Sequence, residues 1–195
     1  MNSNNIKQKI KLIKSRKDIP LFLKKVGVKT IIEVGVSKGK YLKKLAQAEP
    51  EVLIGVDPWD TTNMVSYNES LEETDKWYKR LTEWSNKQNI SIQLIRDYSL
   101  NAVKQFYDEF FDFVYLDADH SYESVKKDLE SWWPKVKKNG ILSGHDYREG
   151  KVSHKTGLPF GVYEAVNEFV KKHDLKDNFY TTKDKLPTYF ILKNN

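Results

Sequence analysis

A chain of 195 residues, 39% hydrophobic and 31% charged, carries enough apolar side chains for a real core, which excludes a disordered or fibrous protein. No apolar run approaches the roughly 18–20 residues of a spanning helix, the start MNSNNIKQKIKLIKSRKD lacks the apolar stretch of a signal peptide, and the lack of cysteine excludes disulfides and thiolate metal sites. The net charge of +6 is a lysine charge, because of 33 basic residues only Arg16, Arg80, Arg96 and Arg148 are arginine. Lysine is a solvated point charge rather than a forked reader of phosphates and bases, so the balance argues against nucleic acid as partner and for a cytoplasmic protein with no membrane association.

In chain order, the first 28 residues are Lys-rich with an apolar stripe of Ile6, Ile10 and Ile13, which predicts a helical extension packed on the core. From 28 to 193, short apolar runs alternate with amphipathic stretches. TIIEVG (30–35) is followed by a helix over 38–48, EVLIGVD (51–57) by one over roughly 68–88, and ISIQLIRD (90–97) by one over 99–108. FFDFVYLD (110–117) precedes a helix over 121–137, and GILSGHD (140–146) precedes one over 161–173. Such repetition means βαβ units on a parallel sheet. Two last runs, NFYTTKD (178–184) and PTYFILK (187–193), predict an antiparallel hairpin at one edge. The expected fold is α/β: a Rossmann-like, seven-stranded, mostly parallel sheet with an antiparallel C-terminal hairpin and helices on both faces. The expected organisation is a single domain over 1–195, with the extension at 1–28 and the core at 28–193.

Within that pattern, IIEVGVSKGKYLKKLA runs from the first strand into a helix through Glu33, Gly35, Ser37 and Gly39. Gly35 permits a tight turn and close approach of a ligand to the backbone, and a helix starting near Lys38 would offer unpaired amides. The loop is neither the three-glycine dinucleotide fingerprint nor a P-loop. The second strand ends in Asp57, where a carboxylate can grip ribose hydroxyls, or else cap the turn before Pro58. The third ends in Arg96-Asp97-Tyr98-Ser99, polar groups at the same edge. A glycine turn with an acid after strand two points to a nucleoside-containing cofactor.

These residues resemble the class I S-adenosylmethionine-dependent methyltransferases. EVGVSKG looks like their first motif, Asp57 like the ribose-binding acid, and Asp97-Tyr98-Ser99 like the adenine-side motif. FVYLDADHSYESVKKDL (113–129) and WWPKVKKNGILSGHDY (132–147) are similar to the small-molecule O-methyltransferase branch with a D-x-D-H-x-Y-E signature. That branch includes macrocin-type macrolide and aminocoumarin sugar methyltransferases, some of which carry a cephalosporin-hydroxylase label. The resemblance covers roughly 28–193 and implies S-adenosylmethionine as cofactor. It implies cofactor contacts at Glu33, Gly35, Ser37, Gly39, Asp57, Asp97 or Ser99, and Asp117.

The charged end of strand four, Asp117-Ala118-Asp119-His120, suits methyl transfer to a hydroxyl, which needs alignment and loss of a proton. A divalent cation does both jobs. By resemblance, Asp117 and Asp146 sit at adjacent strand ends and bind Mg²⁺, with His145 joining them. An imidazole in that position admits Mn²⁺ or Fe²⁺ as well. Asp119 points to the same side as Asp117 and is the candidate base, while His120 is base or ligand. Capping of the following helix by Asp119 or Ser121 is the structural alternative.

The acceptor side is expected in the long connections 58–68 and 147–160. Trp59, Trp77, Tyr78 and Trp84 supply an aromatic lid or, by the spacing of Trp77, Leu81 and Trp84, a core stripe. Tyr147, Arg148, His154 and Phe160 belong to the second connection, with Gly157–Gly161 as its hinge. The reading is divalent-metal-assisted O-methylation of a small molecule, with a homo-oligomer left open. Its rivals are a metal-independent methyltransferase acting on RNA or protein, a nicotinamide-cofactor binder, and an iron hydroxylase using Asp117, His120, His145 and Asp146.

Overall fold

In the computed structural model the described residues are 3–60, 70–150, 152 and 160–194. The apolar runs become β1 (Thr30–Val34), β2 (Val52–Asp57), β3 (Ser91–Arg96), β4 (Phe111–Leu116) and β5 (Val136–Gly144), followed by β6 (Phe179–Thr181) and β7 (Tyr189–Leu192). They make one seven-stranded sheet in the order β3-β2-β1-β4-β5-β7-β6. β1 to β5 pair in parallel, and β7 runs antiparallel to both β5 and β6. This is the Rossmann-like sheet with a C-terminal hairpin that the sequence predicts.

Every residue of β4 is buried, because alternate side chains enter two different cores. Ile32, Val34, Val114, Leu116 and Leu142 face one core. It is closed by α5 (Ser99–Ala102), α6 (Tyr122–Trp132) and α7 (Val162–Lys172) through Ala102, Val125, Leu129, Trp132, Val166 and Phe169. Ile31, Leu53, Phe113, Tyr115, Ile141 and Phe190 face the other. That face is covered by α1 (Ser3–Ile10), α2 (Ile19–Val26), α3 (Leu42–Leu45) and α4 (Leu71–Ser85). The isoleucine stripe of the extension therefore has a partner: Ile6, Ile10 and Ile13 are buried in this second core. Gly27, at φ 73°, ends α2 in the left-handed conformation and turns the chain into β1.

Three elements differ from expectation. α3 starts at Leu42 rather than Lys38 because Ser37 and Gly39 take φ of 49° and 73°, which a right-handed helix cannot contain. It is a single turn continued by a 3₁₀ turn at Ala46–Ala48. α5 is likewise one turn, tightening to 3₁₀ at Val103–Gln105. β5 begins at Val136, earlier than residue 140, with an irregularity opposite Phe111–Phe113 that absorbs Asn139 at φ 59°. Most of the two long connections, including His154 and Gly157-Leu158-Pro159, lies outside the described residues.

Candidate functional site

The strand order reverses between β1 and β4, so the carboxyl ends of β2, β1, β4 and β5 line up along one edge, where open α/β sheets hold ligands. Gly35 stands at the reversal with φ 91°, and a Cβ there would sit 2.2 Å from the Asp117 carbonyl oxygen. Only glycine allows both that conformation and that approach. Flanking bonds lock it: Gly35 N–H donates to the Val56 carbonyl and Asp117 N–H to the Val34 carbonyl, each at 2.8 Å.

Asp57 ends β2 as a buried carboxylate. Its Oδ2 accepts the Ser37 N–H at 2.8 Å and its Oδ1 the Trp59 N–H at 2.7 Å. Burial raises its pKa, and the backbone donors Ser37, Trp59 and Val36 oppose the rise. Each oxygen keeps a further acceptor position. Trp59 closes the ring by donating its indole N–H to the Ser37 carbonyl at 2.9 Å. Of the two readings of the aromatic insert, the core stripe holds: Trp59 and Leu81 are 1% exposed, and Trp77, Tyr78 and Trp84 pack against the same core. Gly39 fits beneath Leu81, whose side chain would meet a Cβ at 2.4 Å.

At the end of β3, Asp97 Oδ1 accepts the Tyr98 N–H at 2.7 Å and the Asn101 side-chain amide at 3.2 Å. The alternative contact, Ser99, is committed elsewhere. Its hydroxyl donates to Asp128 Oδ1 at 2.5 Å and accepts the Trp132 indole N–H at 2.9 Å. Both partners lie on α6, so Ser99 ties α5 to α6 and does not face the edge as a free donor. Asp128 is buried there, and burial pushes its pKa up to about 6 against the Ser99 hydrogen bond.

The end of β4 gathers the densest charge. Asp117, His120 and Asp146 each offer a ligand atom, all within 4.8 Å of one another. His120 Nε2 lies 3.1 Å from Asp146 Oδ2 and 3.5 Å from Asp117 Oδ1. Burial disfavours the imidazolium, but the Asp117 and Asp146 carboxylates outweigh it and lift the pKa to about 9. Phe160 stacks on the imidazole at 4.5 Å between ring centroids. A cavity of about 10 Å³ lies beneath this loop, bounded also by Asp128 and Tyr189, enough for roughly one water.

Two expected site residues stand apart from the trio. His145 is not grouped with it: its Nδ1 lies 3.2 Å from the other oxygen of Asp146, Oδ1, although His145 lines the same cavity. Asp146 adopts φ 60° and brings its Oδ2 to His120. Among the described residues one histidine is grouped with two carboxylates, not two with one, which disfavours the iron-hydroxylase set. Asp119 turns to the start of α6, accepting the Ser121 N–H and hydroxyl at 3.0 Å each and the Ser124 hydroxyl at 2.8 Å. Burial would raise its pKa, but these donors lower it, so Asp119 is a weak base and holds the loop instead.

Sequence reasoning missed Arg16. It sits in the 3₁₀ turn Arg16–Asp18 between α1 and α2, a turn fixed by a reciprocal cap between Ser15 and Asp18. Its guanidinium lies 3.4 Å from Asp117 Oδ2 and 4.0 Å above the Tyr41 ring, and Tyr41 donates its hydroxyl to the Arg16 carbonyl at 3.2 Å. Burial opposes its charge, yet Tyr115 and Asp117 hold its pKa above the usual arginine value. Close by, Glu33 is 1% exposed and its Oε2 has no hydrogen-bond partner among the described residues. Burial, reinforced by Asp117, raises the Glu33 pKa well above the carboxylate range while Arg16 pulls it down. A signal existed: arginine among lysines marks a place where a forked, stacking cation is needed.

Comparison with known proteins bears on the fold and the family. A family model described as a methyltransferase domain matches residues 32–147, whereas no curated protein matches the sequence. The O-methyltransferase from Bacillus cereus, solved in complex with S-adenosylhomocysteine, superposes with a TM-score of 0.64 at 15% identity, over 91% of this chain and 80% of that one. N-methyltransferase NodS from Bradyrhizobium japonicum WM9 superposes with a TM-score of 0.61 at 13% identity, over 92% and 95%. Likeness at such identities speaks to the fold, and the family rests on the model that spans β1 to β5. The chain belongs to the methyltransferase-domain family and is an S-adenosylmethionine-dependent methyltransferase.

Proposed function

We propose that the protein moves the methyl group of S-adenosylmethionine to a hydroxyl of a small molecule with help from a divalent cation, working as one domain over 1–195. The observation that carries this reading is the trio Asp117, His120 and Asp146 at the ends of β4 and β5, beside the Gly35 turn. We assign the nucleoside end of the cofactor to Asp57 and Asp97, with Gly35, Ser37 and Gly39 shaping the loop beneath it. Ser99 leaves that set because its hydroxyl serves α6. The D-x-D-H-x-Y-E branch of sugar and natural-product O-methyltransferases remains the reading of the acceptor class.

The reaction is an in-line displacement: the acceptor oxygen forms a bond to the methyl carbon as the carbon–sulfur bond breaks and its electron pair returns to sulfur. The hydroxyl proton passes to solvent water, the more readily where a cation lowers its pKa. Two carboxylates and an imidazole fit a hard or borderline cation such as Mg²⁺, Mn²⁺ or Fe²⁺, which would lower the pKa of the hydroxyl. Asp117, His120 and Asp146 would hold it, and His145 would orient Asp146 through Oδ1. Asp119 fixes the loop through Ser121 and Ser124, which keeps the trio in place. Phe160 shields the imidazole face from water.

The test is calorimetric titration of S-adenosylhomocysteine into wild type and Asp57→Ala, with and without Mg²⁺ or Mn²⁺. Micromolar binding that Asp57→Ala abolishes is the expected result, followed by methyl transfer to hydroxylated acceptors that chelator stops. Binding unchanged in Asp57→Ala would sink the cofactor placement. Transfer that persists in chelator would sink the cation.

A further inference from the structure

We propose that Arg16, delivered by the segment between α1 and α2, binds the carboxylate of the cofactor's methionine moiety; this rests on the cofactor reading above. The strand order sets which end of the cofactor lies where. With the ribose at Asp57 on β2 and the acceptor at the trio on β4 and β5, the sulfur would lie between them near the tips of β1 and β4, and the amino-acid arm that branches from it is assigned to the polar groups beside β1. That end of S-adenosylmethionine is a zwitterion, a carboxylate beside an ammonium group.

The matching groups are present on the face of the sheet that the N-terminal segment covers. Arg16 is the cation, held over Tyr41 at 4.0 Å and 3.4 Å from Asp117. At 3.4 Å and without ideal contact, the Asp117 pair leaves guanidinium N–H groups to a second anion, since a guanidinium has five donors and a carboxylate takes two side by side. Glu33 is the matching carboxyl group, buried, with Oε2 lacking a hydrogen-bond partner among the described residues; burial favours its neutral form, and a bound ammonium would favour the carboxylate. An unpartnered buried carboxylate oxygen marks a place where a donor belongs, and an ammonium group supplies one. Arg16 is pre-set rather than tethered loosely: the Ser15–Asp18 cap, the Tyr41 hydroxyl and the burial of Ile13 and Ile19 on either side fix its backbone. Little ordering entropy is then lost on binding.

The assignment separates two ligands that share the nucleoside and differ in the amino-acid end. S-adenosylhomocysteine carries the carboxylate and ammonium; 5′-methylthioadenosine carries neither. Arg16→Gln is expected to weaken S-adenosylhomocysteine by about 10–100-fold, the range of one charge-assisted hydrogen-bonded contact, while 5′-methylthioadenosine changes less than about threefold. Arg16→Lys keeps the charge without the fork and should fall between. Equal weakening of both ligands, or of neither, overturns the proposal. Because Arg16 also packs on Tyr41, the variants are first compared by thermal unfolding. Should Arg16→Gln not fold, the same comparison in Arg16→Lys decides, through the ratio of the two affinities rather than either alone. A wild type that binds neither nucleoside overturns the underlying cofactor reading as well, so the two failures are told apart.

Discussion

Replacing Asp128 by Asn removes the titration of a buried carboxyl that lies between α6 and the Ser99 hydroxyl. In the folded protein its pKa stands at about 6, against 3.8 for the free side chain, because burial, reinforced by Asp119, disfavours the charge more than the Ser99 bond favours it. The sign follows from proton binding. Between 3.8 and about 6 the folded state holds a proton that the unfolded state has lost, so stability is present at low pH and is lost as pH rises through that window. The interval corresponds to about 3 kcal/mol of stability. The Asn oxygen still accepts from Ser99, so its fixed costs do not vary with pH. Urea unfolding of both proteins should give a stability difference that moves by about 3 kcal/mol in favour of Asp128→Asn between pH 4 and pH 8. A difference that stays flat across that range would refute the raised pKa and the burial argument behind it.

Other expected outcomes concern the edge itself. Gly35→Ala places a Cβ 2.2 Å from the Asp117 carbonyl oxygen at φ 91°. It should cost more than about 3 kcal/mol of stability by thermal unfolding, with loss of S-adenosylhomocysteine binding in whatever folds. Trp59→Phe removes the indole bond to the Ser37 carbonyl and underfills a fully buried site beside Tyr78. A loss of about 2–3 kcal/mol, read from denaturant midpoints, is expected, with weaker nucleoside binding as the loop loosens. Asp146→Asn should lower the affinity for Mn²⁺, followed by its paramagnetic resonance signal, by at least about tenfold; unaltered Mn²⁺ binding would remove Asp146 from the cation site. His145→Ala should have a smaller effect than His120→Ala in the same titration, because only His120 stands between both carboxylates.

The fold was legible because its signal is local. Five short apolar runs separated by amphipathic stretches define a parallel sheet whatever the exact helix ends, and two close runs at the C-terminus define a hairpin. Acids placed directly after such runs, as Asp57, Asp117 and Asp146 are, land at one edge by topology alone. Helix lengths were less legible, since left-handed φ at Ser37 and Gly39 shortens α3 and hydropathy does not register backbone angles.

Side-chain partnerships were beyond the sequence, since they are set by the order and spacing of strands. Whether His120 or His145 meets both carboxylates depends on how the loop after β4 folds against the end of β5: His120 lies near Asp117 Oδ1 and Asp146 Oδ2, while His145 meets only Asp146 Oδ1. Asp119 could be a base or a cap by spacing, and the approach of Ser121 and Ser124 binds it ahead of α6, whose N-cap is Ser121. Ser99 found Asp128, 29 residues away, because α5 and α6 lie on the same face of the sheet. Arg16, read only as part of a lysine-rich extension packed on the core, reached Asp117 because the isoleucine stripe buries that extension against the sheet. Hydrophobic periodicity determined the sheet and its active edge, and packing between distant segments decided which polar groups meet there.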